Sequence, residues 1–285
     1  MEKLLKLYQF YSVHGTDGEK AICDWLVEYF DRLNIKVNRK GNTIWYFNPN
    51  NEVLLSAHLD QVDTNGPAVH FYKTPEGRIK AYNKDWERTS LGADDKNGVW
   101  LIMKLAESGY EFDFIISEGE EVGCVGINNI EEHIKESTAD YAIVLDRKGD
   151  TDILKGGSSD VYCEALAYNL KNFLNIQDPL NSYTVATGSI SDTRVICKYI
   201  ESVNMCVNYE DAHTKNETTN WEGLQRTLAN LQNILIDFVH YPADPSEYCK
   251  KDYSQYYSKY KKDKQSLFDY DDDDYRWREY YGGRY

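Results

Sequence analysis

The order of apolar runs predicts an α/β fold of three layers, with a mostly parallel central sheet and helices on both faces. Short runs rich in Val, Ile, Phe and Tyr alternate with longer segments whose apolar residues recur every three or four positions. One short run, Val53-Leu54-Leu55-Ser56-Ala57, is almost continuously apolar, as expected of a strand covered on both faces. The chain has 285 residues and no internal repeat, enough for one large domain or two small ones.

In chain order, residues 2–11 read as a short helix. Thr16-Asp17-Gly18-Glu19 reads as a helix start, and Ile22, Trp25, Leu26, Tyr29, Phe30 and Leu33 form the apolar stripe behind it. Residues 34–37 and 43–47 read as strands joined by a turn at Lys40-Gly41-Asn42. Residues 61–90 are polar and irregular, with one strand pair at 69–72 and 78–82. Asn97-Gly98 opens a helix through Val99, Leu101, Ile102 and Leu105. A strand at 112–116, a helix at 128–135 and a strand at 141–145 follow. Residues 162–174 have helical spacing, 183–186 form a short strand, 192–200 a helix and 202–207 a strand. Residues 221–241 form a long amphipathic helix marked by Leu224, Leu228, Leu231, Leu235 and Phe238.

The composition changes at Pro242. Residues 242–285 are rich in Tyr, Lys and Asp, nearly lack aliphatics, and contain Asp271-Asp272-Asp273-Asp274. This stretch reads as a disordered or loosely docked tail; a tyrosine surface for a protein partner is the other reading. Its ten acids against nine bases carry −1 of the net −15, which leaves −14 on residues 1–241. That sign excludes nucleic-acid backbone binding and favours solubility. No run of eighteen apolar residues is present, so no membrane span is expected, and Met1–Leu7 lacks the apolar core of a secretory signal. Six cysteines (Cys23, Cys124, Cys163, Cys197, Cys206, Cys249) lie scattered with no C-x-x-C pair. They read as reduced thiols of a cytoplasmic protein.

The chemistry lies in five acidic or histidine stretches. His58 and Asp60 follow the 53–57 run; Asp94 and Asp95 lie in the loop from Gly92 to Gly98. Glu120-Glu121 follow the 112–116 run, Asp146 follows the 141–145 run, and His213 precedes the last helix. Ligands of open α/β sheets gather at the carboxyl ends of strands, so these groups can converge. Two imidazoles with several carboxylates suit a pair of divalent metals, zinc first, with cobalt or manganese as alternatives. His58 and Asp60, two apart, point to one side, so Asp60 can accept from the ring nitrogen that faces away from a metal. One aspartate can hold two metals about 3.5–4 Å apart through its two oxygens. Of two adjacent glutamates, one can bind metal while the other serves as general base. Each signal alone has an ordinary reading: a polar strand end, a capped turn, a surface acidic loop, a salt bridge from Asp146 to Arg147 or Lys148, a lone histidine.

Together the stretches Ser56-Ala57-His58-Leu59-Asp60, Leu91-Gly92-Ala93-Asp94-Asp95-Lys96-Asn97-Gly98, Glu120-Glu121-Val122-Gly123, Val144-Leu145-Asp146 and His213-Thr214-x-x-Glu217 resemble the dinuclear zinc exopeptidase superfamily. That group includes peptidase T, bacterial leucyl aminopeptidases, carboxypeptidase G and acetylornithine deacetylases. The resemblance covers residues 1–241. It implies that His58 binds one metal, His213 the other, and Asp94 bridges them, with its bond to Asp95 often cis. Glu121 and Asp146 each complete one metal's shell, Asp60 orients His58, and Glu120 is the general base. Ser191-Asp192 resembles a family loop near the site, so Asp192 joins Glu118 as a candidate substrate contact; the metal pair itself is the other candidate for the substrate amine.

Many relatives insert a lid or dimerisation domain between the metal Asp and the last His, and others insert one between the first His and the bridging Asp. Here those gaps are only 67 residues (146 to 213) and 36 residues (58 to 94). The layout therefore resembles the single-domain aminopeptidases, while the wording Leu-Gly-Ala-Asp-Asp-Lys is closer to peptidase T. The expected function is a metal-dependent aminopeptidase acting on a peptide or small amide. An N-acyl amino acid amidohydrolase or carboxypeptidase on the same site is one alternative. A metal-stabilised binding protein working through its tail is the other.

Overall fold

The computed structural model describes residues 1–155, 161–188 and 191–240. The tail from 242, and the Ser189-Ile190 part of the loop before Asp192, lie outside the described residues. The elements are α1 (Glu2–Tyr8), α2 (Asp17–Arg32), β1 (Asn38–Lys40), β2 (Thr43–Tyr46), β3 (Val53–His58), β4 (His70–Lys73), β5 (Arg78–Tyr82) and β6 (Arg88–Thr89). Next come α3 (Ala93–Glu107), β7 (Asp113–Ser117), α4 (Val125–Asn129), α5 (Glu131–Ile134), β8 (Tyr141–Arg147), β9 (Asp152–Lys155) and α6 (Val161–Gln177). The rest are β10 (Thr184–Thr187), α7 (Thr193–Ile196), β11 (Glu201–Cys206), β12 (Tyr209–Glu210), β13 (Thr218–Asn220) and α8 (Trp221–Asp237).

Eight strands form the main sheet in the order β1-β2-β7-β3-β8-β11-β9-β10. Its centre, β7-β3-β8-β11, is parallel throughout. The β1–β2, β2–β7 and β9–β11 pairings are antiparallel. Every residue of β3 is buried, as a strand between two parallel neighbours and two helical layers must be. Its side chains alternate between the layers: Val53, Leu55 and Ala57 join the larger core with α1, α2, α3, α6 and α8, and Leu54 joins the smaller one with α4, α5 and α7. No described helix is long and apolar enough to cross a membrane.

Register then places the strand ends. Ser56 lies opposite Val144, which puts His58 level with Asp146, and His58 lies opposite Ser117. Leu54, Ala142 and Val144 share the face of the smaller core, and past them, where β8 is irregular against β11, His58 Nε2 and Asp146 Oδ1 come within 3.6 Å.

A second, antiparallel sheet has the order β12-β13-β5-β4, with β6 on β5. It joins the polar 61–90 segment to the segment around His213. Thr219 pairs with Ile79 and Asn220 with Arg78, so residues distant in sequence frame one wall of the site.

Several boundaries differ from expectation for local reasons. Asn34 adopts φ 60, in the left-handed region, which ends helix α2 and postpones the first strand to Asn38. The expected 128–135 helix is two short helices that meet at Ile130, and the expected 192–200 helix is the single turn α7. Thr16 does not cap α2 with its side chain; its hydroxyl donates to the Val13 carbonyl at 2.6 Å. Glu19 ties the preceding turn to the helix, accepting from Gly15 N–H at 2.9 Å and facing His14 Nδ1 at 3.0 Å.

Helix α3 starts at Ala93 and approaches β8 so closely that position 98 has no room for a side chain. A Cβ on Gly98 would lie 2.6 Å from both Asp95 carboxylate oxygens and nearer still to the Leu145 carbonyl. Gly98→Ala therefore must push α3 off the sheet. The expected outcome is a loss of about 1–3 kcal/mol, the usual cost of overpacking. Urea denaturation of the variant checks it, and an unchanged midpoint would contradict the close approach.

Candidate metal centre

Three of the ligand candidates are delivered by the main sheet and α3. His58 ends β3, Asp146 lies near the end of β8, and Asp94 lies in the irregular first turn of α3. Asp94 (φ −80, ψ 98) and Asp95 (φ −122, ψ 37) depart from helical geometry, and the peptide bond between them is cis. Gly92 precedes them at φ 61, a conformation that glycine tolerates. His213, at φ 61, sits on a tight turn between β12 and β13.

The side chains converge as two donor sets that share Asp94. His58 Nε2 lies 3.2 Å from Asp94 Oδ1 and 3.6 Å from Asp146 Oδ1. His213 Nε2 lies 3.2 Å from Asp94 Oδ2 and 2.8 Å from Glu121 Oε1. In each set, one ligand atom from each of the three residues lies within 4.8 Å of the others. Glu120 belongs to the same cluster, since it, His58 and Glu121 meet the same distance limit.

Charge balance shows what this arrangement lacks. Among the described residues, no Lys or Arg pairs with Asp94, Glu120, Glu121 or Asp146; Arg147, the neighbour that could have neutralised Asp146, pairs with Asp152 at 3.3 Å. Burial and then nearby carboxylates push the carboxyls of Glu120, Glu121 and Asp146 above their ordinary range. For Asp94, the bonds to both histidines outweigh burial and hold its carboxyl well below the usual range. Hydrogen bonds to Asp94 and Glu121 raise the His213 imidazole to about 11. His58 is raised too, because Asp146, Asp60 and Asp94 overcome its burial. The two imidazoles lie between carboxylates that would otherwise repel. Two imidazoles and three carboxylates, one of them shared, are a donor set that fits divalent ions such as zinc.

A surrounding layer of hydrogen bonds holds the ligands. Asp60 has two tasks. His58 Nδ1 faces the Asp60 carbonyl at 3.1 Å and its carboxylate at 3.4 Å, so the backbone shares the orienting role expected of the side chain. The carboxylate itself accepts from Glu120 N–H at 2.9 Å and Glu121 N–H at 3.1 Å, which holds the Glu-Glu loop against β3. Asp95 accepts from His58 N–H at 3.1 Å and Gly98 N–H at 3.0 Å.

Glu217, quoted in the motif but given no role by sequence, is buried and accepts from Leu91 and Gly92 N–H at 2.7 Å each and from Asp94 N–H at 3.1 Å. Burial pushes its carboxyl up to about 7 against the pull of those donors.

Asp192 and Glu118 do not join the ligands. Asp192 is buried and accepts from Ser117 Oγ at 2.6 Å. It lies behind Glu120, and its charge is one of those raising the Glu120 carboxyl. The Glu118 carboxylate lies against the Gly41 turn, where a Cβ at Gly41 would strike it.

A small cleft opens beside Asp94 and His213, lined also by Gln61, Val62, Ser90, Gly92 and Glu217. Neither Gln61 nor Lys96 was singled out by sequence pattern. Both are buried, and Lys96 Nζ bonds to the Phe10 carbonyl at 2.7 Å and to Gln61 Oε1. Burial lowers the Lys96 ammonium to about 7.

No protein-family model and no curated protein matches the sequence. Solved structures do match the fold. An aminopeptidase PepT from Bacillus cereus aligns with a TM-score of 0.67 at 18% identity, over 82% of this chain and 96% of that one. A tripeptidase from Staphylococcus aureus aligns at 0.66 and 17%, over 82% and 96%. A Zn-dependent exopeptidase from Parabacteroides distasonis aligns at 0.59 and 17%, over 82% and 96%. At these identities the likeness is one of fold: the α/β arrangement with its mixed, centrally parallel sheet is shared with these peptidases.

Glu217→Gln replaces an acceptor oxygen with an amide that meets backbone N–H donors head on. The expected cost is about 1–3 kcal/mol, the range for a disrupted buried hydrogen-bond set. Thermal unfolding of the metal-free protein reads it, and a wild-type melting temperature would show that Glu217 does not hold the Asp94 loop.

Proposed function

We propose that this chain is a metal-dependent aminopeptidase with a co-catalytic pair of divalent ions. The observation that carries the reading is the pair of three-residue donor sets joined through the two oxygens of Asp94, with the Glu120 carboxylate beside them. His58 and Asp146 would hold one ion, Glu121 and His213 the other, and Asp94 both. When bound, the ions would act as a Lewis acid for the scissile carbonyl and lower the pKa of an attacking water.

The protein's own groups do the rest. Glu120 is the one carboxylate of the cluster that neither three-residue set needs. Its place beside both sets puts it within reach of a water held between them, the position a general base needs. It accepts the proton of the attacking water and returns it to the leaving amine nitrogen as the C–N bond breaks. Asp60, through the N–H groups of Glu120 and Glu121, holds base and ligand at a constant separation. The short gap from Asp146 to His213 supports the aminopeptidase over the deacylase reading, since a lid that could grip a substrate carboxylate has no sequence to form it.

Two measurements test this. Metal analysis after dialysis against zinc should find two ions per wild-type chain, one in Asp146→Ala, and none retained tightly in Asp94→Ala. Equal stoichiometry in all three would refute the shared ligand. Glu120→Gln should keep both ions and lose roughly 10²–10⁴-fold in kcat, the range for a missing general base. In wild-type enzyme, hydrolysis should be confined to peptides with a free N-terminus; cleavage of N-acetylated peptides would move the assignment to an amidohydrolase or carboxypeptidase.

A further inference from the structure

Gln61 is 5% exposed, yet it lines the cleft beside Asp94 and His213. Its amide oxygen faces inward. Lys96 Nζ donates to Oε1, and the Ser12 N–H approaches the same oxygen at 3.4 Å. A backbone N–H is a donor only, so the atom that Ser12 N–H meets is the amide oxygen, and Lys96 donates to that same atom. The amide nitrogen is therefore left with its two N–H groups, and it has no protein partner among the described residues.

The surrounding loop is shaped for this lock. Gly92 lies over the pair at φ 61, and a Cβ there would sit 2.6 Å from Lys96 Nζ and 2.7 Å from Gln61 Oε1. The Gln61 backbone is pinned as well, its N–H donating to the Ser12 carbonyl at 3.0 Å. Lys96 Nζ ties the Gln61 amide to the Phe10 carbonyl, to which it donates at 2.7 Å, so one buried ammonium holds the amide to the chain.

We propose that Gln61 is a substrate-positioning residue whose amide N–H groups donate to a carbonyl or carboxylate oxygen on the leaving-group side of the scissile bond. This rests on the aminopeptidase reading. In such a substrate the residue before the scissile bond carries one backbone carbonyl, the one being attacked. Every other backbone acceptor lies beyond it, so a donor that does not reach the reacting carbonyl meets the leaving peptide. Such a contact fixes the register of the peptide in the cleft and rejects substrates that end at the scissile bond.

The test compares Leu-Gly-Gly with leucinamide, which has the same N-terminal residue and no backbone acceptor past the scissile bond. The proteins are zinc-loaded wild type, Gln61→Glu and Gln61→Met. Glu keeps an acceptor for Lys96 and removes the donor; Met removes the donor without adding charge. Both variants should lose about 10- to 100-fold in kcat/KM on Leu-Gly-Gly, mostly through KM, and less than about threefold on leucinamide. Equal losses on both substrates, or none on either, would overturn the proposal. Leu-Gly-Gly-amide separates the two acceptors: the loss persists if the contact is a carbonyl and vanishes if it is the carboxylate. If wild type cleaves neither substrate, the peptidase reading fails. Calorimetric binding of Gly-Gly to wild type and Gln61→Glu then judges Gln61 alone, with weaker binding by the variant in support and equal or absent binding against.

Discussion

Negative charge crowded into a buried space is the constraint on which the rest of this structure depends. Asp94, Glu120, Glu121 and Asp146 meet at the carboxyl end of a parallel sheet, with two imidazoles between them and no Lys or Arg ion pair among the described residues to offset them. Such a cluster is unfavourable unless protons or cations enter it. The fold commits its best-ordered elements to holding it. His58 and Asp146 come from the ends of adjacent parallel strands, and Asp94 from a helix pressed so tightly onto β8 that only glycine fits at position 98. The electrostatic strain is local, and the packing that offsets it is spread over both cores.

The second layer of residues is as organised as the first. Asp60 clamps two consecutive N–H groups of the Glu-Glu loop, Glu217 clamps three of the Asp94 loop, and Asp95 takes one from β3 and one from α3. In each case a carboxylate outside the ligand set grips backbone. Contacts of this kind orient the candidate ligands through the backbone that carries them.

Much of this was legible in sequence because period and spacing report on strands and their ends. The apolar runs at 53–57, 112–116 and 141–145 marked the three adjacent parallel strands, and the groups just after them proved to be neighbours in space. What escaped was of two kinds. Strands β6, β9, β12 and β13 are two to four residues long, too short for a period to show. Residues such as Gln61, Lys96 and Glu217 are polar groups in polar stretches, and only burial distinguishes them from solvated ones. Glu118 illustrates the converse: its position beside the Glu-Glu pair singled it out, but the turn at Gly119 (φ 62) sends its side chain to the β1–β2 hairpin.

The small second sheet has a consequence for how the site comes into being. His213 is presented between β12 and β13, and β13 is anchored on β5; Arg78 reaches Thr218 across 140 positions of chain at 3.2 Å. One half of the cluster is thus set by early, adjacent strands, whereas the other exists only after a very long loop has closed. Closing that loop is an entropic burden during folding, which the pairing of β13 with β5 must offset. The half of the cluster that carries His213 is therefore the half that forms last and the first to be lost when β13 loosens from β5.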